Sequence, residues 1–381
     1  MKNIRDCGFP SGWGVKTGRC LMIIPGRSFP ERVIRMMAPV LLSISLCMGV
    51  PQVIGEEAEP AAESGQVTFV NVTAESGIDA VNTWGGLDSK TYIVETKGSG
   101  LAFFDYDRDG WLDLYLTNGV RFEETYTPEN APISRLYRNQ RDGTFLDVSR
   151  ESGLAQTGWQ TGVCIGDYDN DGWDDIYCGF WGQSRLFRNN ADGTFSDVTE
   201  QAGVLIKGRR WASGCTFLDY DRDGFLDLYS ASYIELDLER VPIPGESDDC
   251  VWKGIPVLCG PRGLTGAADI LYHNNGDGTF TDVTRQSGID VAGNSYSITA
   301  VSADFNNDGW PDIFVGNDND PQFLFINNQD GTFSEQAAEY GVLRGADGFF
   351  CNLMGIDYGD LNGDGYVDFV CSNFQGRPQD L

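Results

Sequence analysis

One histidine, His273, serves all 381 residues of this chain. Serine–histidine and cysteine–histidine mechanisms therefore start with a single candidate base. A basic surplus is also missing: 27 Lys and Arg face 56 Asp and Glu, for a formal charge of −29. A surface of that sign repels nucleic acid and anionic membranes and excludes both as partners. The acid does not mark a disordered tail, because 41% of the residues are hydrophobic and the length supports one large or two ordinary domains. Beyond the N-terminal region no cysteines are spaced as a zinc site requires.

Long apolar runs are scarce too. The one that stands out is the uncharged stretch 36–55, with its apolar centre at Val40–Met48, preceded by Arg27, Arg32 and Arg35. Val53 and Gly55 before Glu56 suit a signal-peptidase site, so residues 1–55 read as an N-terminal extension with an export signal. An uncleaved anchor is the alternative, weakened by Pro39, Pro51 and Gln52. Leu46 before Cys47 argues against lipidation there, and residues 1–21 fit no part of a signal, which points to a start at Met22 or later. Residues 56–66 form an acidic, alanine-rich linker, and 67–381 carry the repeats described next. The expected location is secreted, cell-surface or periplasmic.

What the chain has in abundance is one pattern: acid-x-acid-x-Asp-Gly-x-x-Asp, five times. Its ligand-type positions are Asp105, Asp107, Asp109 and Asp113; Asp167, Asp169, Asp171 and Asp175; Asp219, Asp221, Asp223 and Asp227; Asp304, Asn306, Asp308 and Asp312; Asp360, Asn362, Asp364 and Asp368. Oxygen donors at positions one, three, five and nine, with a glycine at six for a sharp turn, suit a hard divalent cation such as Ca²⁺. Packing so many like charges together couples metal to folding. Up to five Ca²⁺ ions are expected.

A second motif follows each of the first four loops: Leu136–Ser149, then 186–199, 271–284 and 324–337, each built around Asn-x-x-Asp-Gly-Thr-Phe. Alternating apolar residues about such a turn predict two short strands, and strand-like runs also flank each acid loop. Four strands per unit of about fifty residues predict the blades of an all-β propeller. Four units are whole and a fifth stops half-way, at Leu381, while Phe69–Gly77 matches the last strand of a unit without the three before it. The reading is a fragment of a larger ring, with an open strand edge prone to self-association.

These units resemble FG-GAP/VCBS repeats, the calcium-loop blades of integrin α-subunit propellers. More narrowly, the combination of Phe-x-Asp-Val-Thr, the acid loop and Leu-Tyr-Arg-Asn resembles the cartilage-acidic-protein-like (ASPIC/UnbV-associated) group. The resemblance implies about seven blades in a whole protein and a Ca²⁺ ligand set completed by the seventh carbonyl of each loop: Trp111, Trp173, Phe225, Trp310 and Tyr366. Asn306 and Asn362 can still ligate as neutral oxygens, so loops four and five are expected to bind more weakly.

Chain direction places acid loops and Asp-Gly turns on one face of the propeller and the connectors on the other. Both long insertions, 117–134 and 230–268, lie on that connector face, as do the aromatics Trp159, Trp211, Trp252, Tyr296 and Phe349. Cys250 and Cys259 bracket a short segment of the second insertion and are expected to form a disulfide. Cys164 and Cys178 flank loop two symmetrically, as a bonded pair or as two buried thiols. The aromatics suit an extracellular glycan or protein ligand, or else they plug the gaps between blades. His273 fills a repeat position held elsewhere by Arg138, Arg188 and Ile326, which makes it structural. No catalytic constellation emerges, so the reading is a binding or adhesion module and not an enzyme. Its rivals are a polysaccharide lyase or hydrolase, which needs a Lys/Tyr/Arg or paired-acid cluster on the connector face, and a structural surface or assembly protein.

Overall fold

The computed structural model describes residues 69–206, 208–345 and 348–373, together with a backbone strand at Arg19–Met22. The stretches read from sequence as an export signal and an acidic linker lie outside the described residues, as does the chain after 373. Four sheets of four antiparallel strands succeed one another in sequence order, and a fifth begins. Blade one is Leu101–Phe104, Asp113–Leu116, Arg135–Asn139 and Phe145–Asp147. Blade two is Gln160–Gly166, Asp175–Phe180, Arg185–Asn189 and Phe195–Asp197. Blade three runs Arg210–Leu218, Asp227–Glu235, Ile270–Asn274 and Phe280–Asp282. Blade four is Ser297–Ala303, Asp312–Asn317, Phe323–Asn327 and Phe333–Glu335. Leu353–Gly359 and Asp368–Asn373 start blade five. This is the predicted all-β propeller architecture, with each acid loop joining the first two strands of its blade.

Why these segments are strands follows from where they sit. The second strand of blade two is buried at all of its positions, because neighbouring blades cover both of its faces, and its sequence is accordingly continuous rather than alternating. Apolar clusters fill the space between successive blades; Tyr115, Leu136, Ile176 and Phe187 form part of the one between blades one and two. The second residue of each of the first three acid loops is a wedge. Tyr106, Tyr168 and Tyr220 lie 6.2, 5.5 and 5.7 Å from Phe195, Phe280 and Phe333, the Asp-Gly-Thr-Phe rings of the following blade. The carbonyls of the same three tyrosines accept Asn189, Asn274 and Asn327 side-chain amides at 2.9, 2.8 and 2.7 Å. The two sequence motifs thus meet between blades.

Three expectations change, and one left open is decided. Phe69–Val72 forms no strand, and Phe69 is 94% exposed; only Thr73–Gly77 keeps its repeat role, as a turn whose Ser76 carbonyl accepts the Phe145 amide at 2.7 Å. The blade-five edge is not open, since Arg19–Met22 pairs with it antiparallel, Cys20 opposite Cys371, which satisfies the edge backbone. The blade-three insertion starts later than residue 230, because Ser230–Glu235 continues the second strand. Cys164 and Cys178 do not face each other: Cys164 pairs with Tyr177 and Cys178 with Val163, so the two thiols point to opposite sides of the sheet and are free. The Cys250–Cys259 disulfide forms as expected, with a Cα–Cα separation of 4.3 Å.

Candidate functional site

Each acid loop is wound around its own carboxylates. In loop one the Asp109 and Gly110 amides donate to the two oxygens of Asp105 at 2.9 and 2.8 Å, and Trp111 N–H donates to Asp109 at 2.9 Å. The sixth residue, Gly110, has φ +88°, and its four counterparts lie between +87° and +94°, a backbone region where only glycine is unstrained. The ninth aspartate closes the loop from below: Asp113 accepts the Tyr106 amide at 3.1 Å and the Asn139 amide at 2.8 Å. Asp175, Asp227 and Asp312 repeat that pair of bonds. The register between the two motifs therefore has a physical cause: the asparagine of one is held by the last acid of the other.

Three of the loops gather carboxylates tightly. Asp105, Asp107 and Asp113 bring one oxygen each within 4.8 Å of the others, as do Asp167, Asp169 and Asp175, and Asp219, Asp221 and Asp223. Burial pushes the ninth acids up, Asp113 to about 6 and Asp175 to about 8, with Asp227 also at about 8. Asp107, Asp169 and Asp221 are raised as well, by burial first and then by the adjacent acid. Asp107 Oδ1 and Asp219 Oδ1 are buried and have no hydrogen-bond partner. Buried acceptors without partners are rare and costly. Such a donor set fits a hard cation, which would satisfy the orphaned oxygens and cancel the like-charge repulsion.

Loops four and five depart from this pattern. Asn306 turns its amide nitrogen onto Asp308 Oδ2 at 2.9 Å, occupying an oxygen that a cation would use. Asp360, Asn362 and Asp364 are exposed to solvent. Loop three departs in another way. His273, read from sequence as structural, places Nδ1 3.2 Å from Asp227 Oδ1 and 3.4 Å from Asp221 Oδ2, and that nitrogen has no hydrogen-bond partner. The signal was its repeat position, held in the other whole blades by Arg138, Arg188 and Ile326. Neighbouring loops also touch. Arg108 and Arg222 lie over the Trp173 and Trp310 rings of the next loops at 5.5 and 5.3 Å, and Asn170 and Asn307 donate to the Gly224 and Gly365 carbonyls at 2.8 and 2.9 Å.

On the connector face the structure corrects the ligand-facing aromatics. Trp159 and Trp211 are buried. They belong to an apolar cluster in which the Trp159 ring lies 4.9 Å from Phe122 and Trp211 lies 5.4 Å from Tyr233. Their size suits them to this place: large rings pack together among the connectors and fill the space there. Tyr296 is half-buried, its hydroxyl donating to the Leu264 carbonyl at 3.0 Å. Trp252 and Phe349 stay 37% and 53% exposed. Sequence reasoning missed a polar cluster here. Lys97 Nζ sits 3.6 Å from Asp318 Oδ2 and 4.4 Å from the Tyr233 ring centroid, and the Tyr233 hydroxyl donates to Asp318 at 2.7 Å. A signal existed. Lys97 lies eight residues before its loop, where later blades carry Trp159, Trp211 and Tyr296; Tyr233 and Asp318 share one repeat position fourteen residues after their loops begin.

Repeated acid-loop blades of this kind define a class of β-propeller. A family model described as an FG-GAP-like repeat matches residues 105–178, 167–230, 257–315 and 304–371, together more than half of the chain. The chain belongs to that family. Among curated proteins, cartilage acidic protein 1 of Homo sapiens is 45% identical over 65 residues, 17% of this chain and 9% of that protein. The Mus musculus protein of the same name is 35% identical over 97 residues, 25% of this chain and 14% of its own length. The chain thus aligns with only a small part of these relatives. A solved structure of an Agrocybe aegerita lectin, described for specific recognition of non-reducing terminal N-acetylglucosamine, covers 72% of this chain and 60% of its own at 17% identity and a TM-score of 0.35. A likeness at that level carries no argument about function. Among the described residues no helix is long and apolar enough to cross a membrane.

Proposed function

We propose that this chain is an exported, calcium-stabilised propeller that acts as a binding or adhesion module, presenting its connector face to a glycan or protein. The observation that carries the metal is the pair of buried, partnerless oxygens, Asp107 Oδ1 and Asp219 Oδ1, each inside an acidic loop. In each loop the side-chain oxygens at positions one, three, five and nine, an asparagine at position three of loops four and five, would hold the ion, with loops one to three as the strong sites. Bound Ca²⁺ supplies positive charge that pins the hairpin ends of the blades. This fixes the inner strands and, through them, the connector loops at the opposite end. The test is calorimetric titration of chelated protein with Ca²⁺, followed by glycan-array and matrix-protein retention with and without the ion. Two or more strong sites and retention that needs calcium support the reading; no uptake of Ca²⁺ would sink it.

A second reading has one observation behind it. Lys97, Tyr233 and Asp318 form a Lys/Tyr cluster of the sort that a polysaccharide lyase requires. Burial raises the Tyr233 hydroxyl well above its usual range and lowers Lys97, while that hydroxyl is already committed to Asp318. A phenol so placed is a poor proton shuttle, and we favour binding over turnover. Incubation with uronic-acid polymers separates the two: release of unsaturated ends would install the enzyme.

A further inference from the structure

The first strands of the blades converge, at their connector ends, on a cavity of about 420 Å³. Glycine draws its walls together. A Cβ on Gly162 would meet the Ser213 carbonyl at 2.8 Å, and one on Gly214 the Ile298 carbonyl at 2.7 Å. The volume suits a single sugar ring and falls in the usual range for small-ligand sites. Its lining is chemically uneven. Lys97 is the cation in the wall, and no carboxylate lines it. In a protein with a net charge of −29, this wall is set apart by an ammonium with no carboxylate among the lining residues, its acidic neighbour Asp318 standing 3.6 Å away outside the lining.

The Lys97 side chain is 18% exposed, held by charge and by the Tyr233 ring. Its 3.6 Å approach to Asp318 is longer than a hydrogen bond, so ammonium protons remain for a ligand. The hydroxyls opposite are committed in a way that defines what they can accept. Ser213 Oγ donates to the Ser297 carbonyl at 2.6 Å, and Thr161 Oγ1 donates to the Ala212 carbonyl at 2.9 Å while accepting the Trp211 indole N–H at 3.1 Å. With their protons spent on the backbone, both oxygens offer lone pairs only. The complementary ligand carries one anionic group, hydroxyl donors across from it, and a compact apolar flank for Val163 and Leu101.

We propose that this axial cavity binds a carboxylated sugar of the hexuronate class, its carboxylate on Lys97 and ring hydroxyls donating to Thr161 and Ser213. The proposal deepens the connector-face reading and rests on it. Calcium-loaded protein is titrated calorimetrically with glucuronate, with glucose and with acetate. Glucuronate binds, and each of the other two, lacking the carboxylate or the ring, binds about tenfold weaker or less, as expected for loss of charge-assisted or multiple hydrogen bonds. Lys97→Gln lowers glucuronate affinity by about tenfold or more without lowering calcium uptake. Should Lys97→Gln disturb folding, Gly98→Leu serves instead: a Cβ there meets nothing within 4 Å, so it adds bulk to the cavity wall without a backbone clash and abolishes binding. Equal affinity for glucose, acetate as good as glucuronate, or full binding by both variants overturns the proposal. Glycan or protein retention that survives both variants would sink the cavity assignment and leave the connector-face reading standing, whereas loss of all retention in the parent protein removes that reading itself.

Discussion

On the loop face, Asp105, Asp167 and Asp219 do the same thing in successive blades: each accepts the amide of the glycine five residues on, at 2.8, 2.8 and 3.1 Å. On the connector face, equivalent positions do different things. Trp211 is a buried ring of an aromatic cluster, while Lys97, at the same repeat position in blade one, brings a charge to the wall of the cavity that both residues line. Tyr233 and Asp318 hold one repeat position yet serve as donor and acceptor to each other. Repetition on one face supplies rigidity by a single device used over and over. Variation on the other supplies chemistry, since a ring of identical residues can present only one kind of group. A propeller therefore separates what holds it together from what it offers a partner.

Removing metal breaks that separation most directly. In excess chelator the melting temperature should fall by about 10 °C or more relative to millimolar Ca²⁺, since each site filled at a hundred times its Kd contributes about 2.7 kcal/mol. Equal melting temperatures in differential scanning calorimetry would show the acids to be a solubilising coat. The connector face answers differently. Trp211→Ala empties a fully buried ring site and should cost about 3–5 kcal/mol by urea unfolding, while calcium affinity stays within twofold. A large loss of calcium affinity in that variant would mean that the two faces are not separable.

How much of this the sequence disclosed depends on the range of the interaction. The strands, the turns and the acid loops were legible because each is a local pattern of a few residues, repeated; the sixth glycine of each loop is required by a backbone angle that nine residues determine. Which of the two readings of Trp159 and Trp211, ligand face or plug, would hold was not legible. Nothing local distinguishes an indole that plugs a gap from one that faces a ligand, and the outcome depends on Phe122 and Tyr233, far along the chain. Cys164 and Cys178 stayed open between a bond and two thiols because symmetry about a loop in sequence is not symmetry across a hairpin: the ladder pairs Cys164 with Tyr177. Lys97 and His273 could have been noticed as odd residues at repeat positions, but only the folded chain shows that one meets Asp318 and the other Asp227.

A smaller effect sharpens the comparison through pH. Without metal, burial raises Asp113 and Asp312 to about 6 and Asp175 and Asp227 to about 8, from an ordinary value near 3.8. Groups raised in this direction hold protons in the folded state that the unfolded chain releases. Their contribution is therefore complete below about pH 4 and is lost as pH rises through 6 to 8. Chelated protein should lose a few degrees of melting temperature between pH 5 and pH 8, whereas calcium-loaded protein should gain, because the ion displaces the same protons and binds more tightly as they leave. Parallel curves with and without calcium would separate these aspartates from the metal.

The finest distinction lies within the loop face, between loop three and loop four. Both close on a buried ninth acid, Asp227 or Asp312, held by the same pair of backbone amides. They differ at position three, where Asn306 spends its amide nitrogen on Asp308 Oδ2 at 2.9 Å. Asn306→Asp replaces that donor with a carboxylate, frees Asp308 and restores the charge count of loops one to three. Calcium affinity at loop four should rise several-fold, and metal-free stability should drop by about 0.5–1 kcal/mol from the added like-charge contact. Calorimetry of the variant would show one additional strong site. An unchanged binding isotherm would mean that loop four is set by its exposure rather than by its third ligand, and the charge count would then cease to explain why the first three loops differ from the last two.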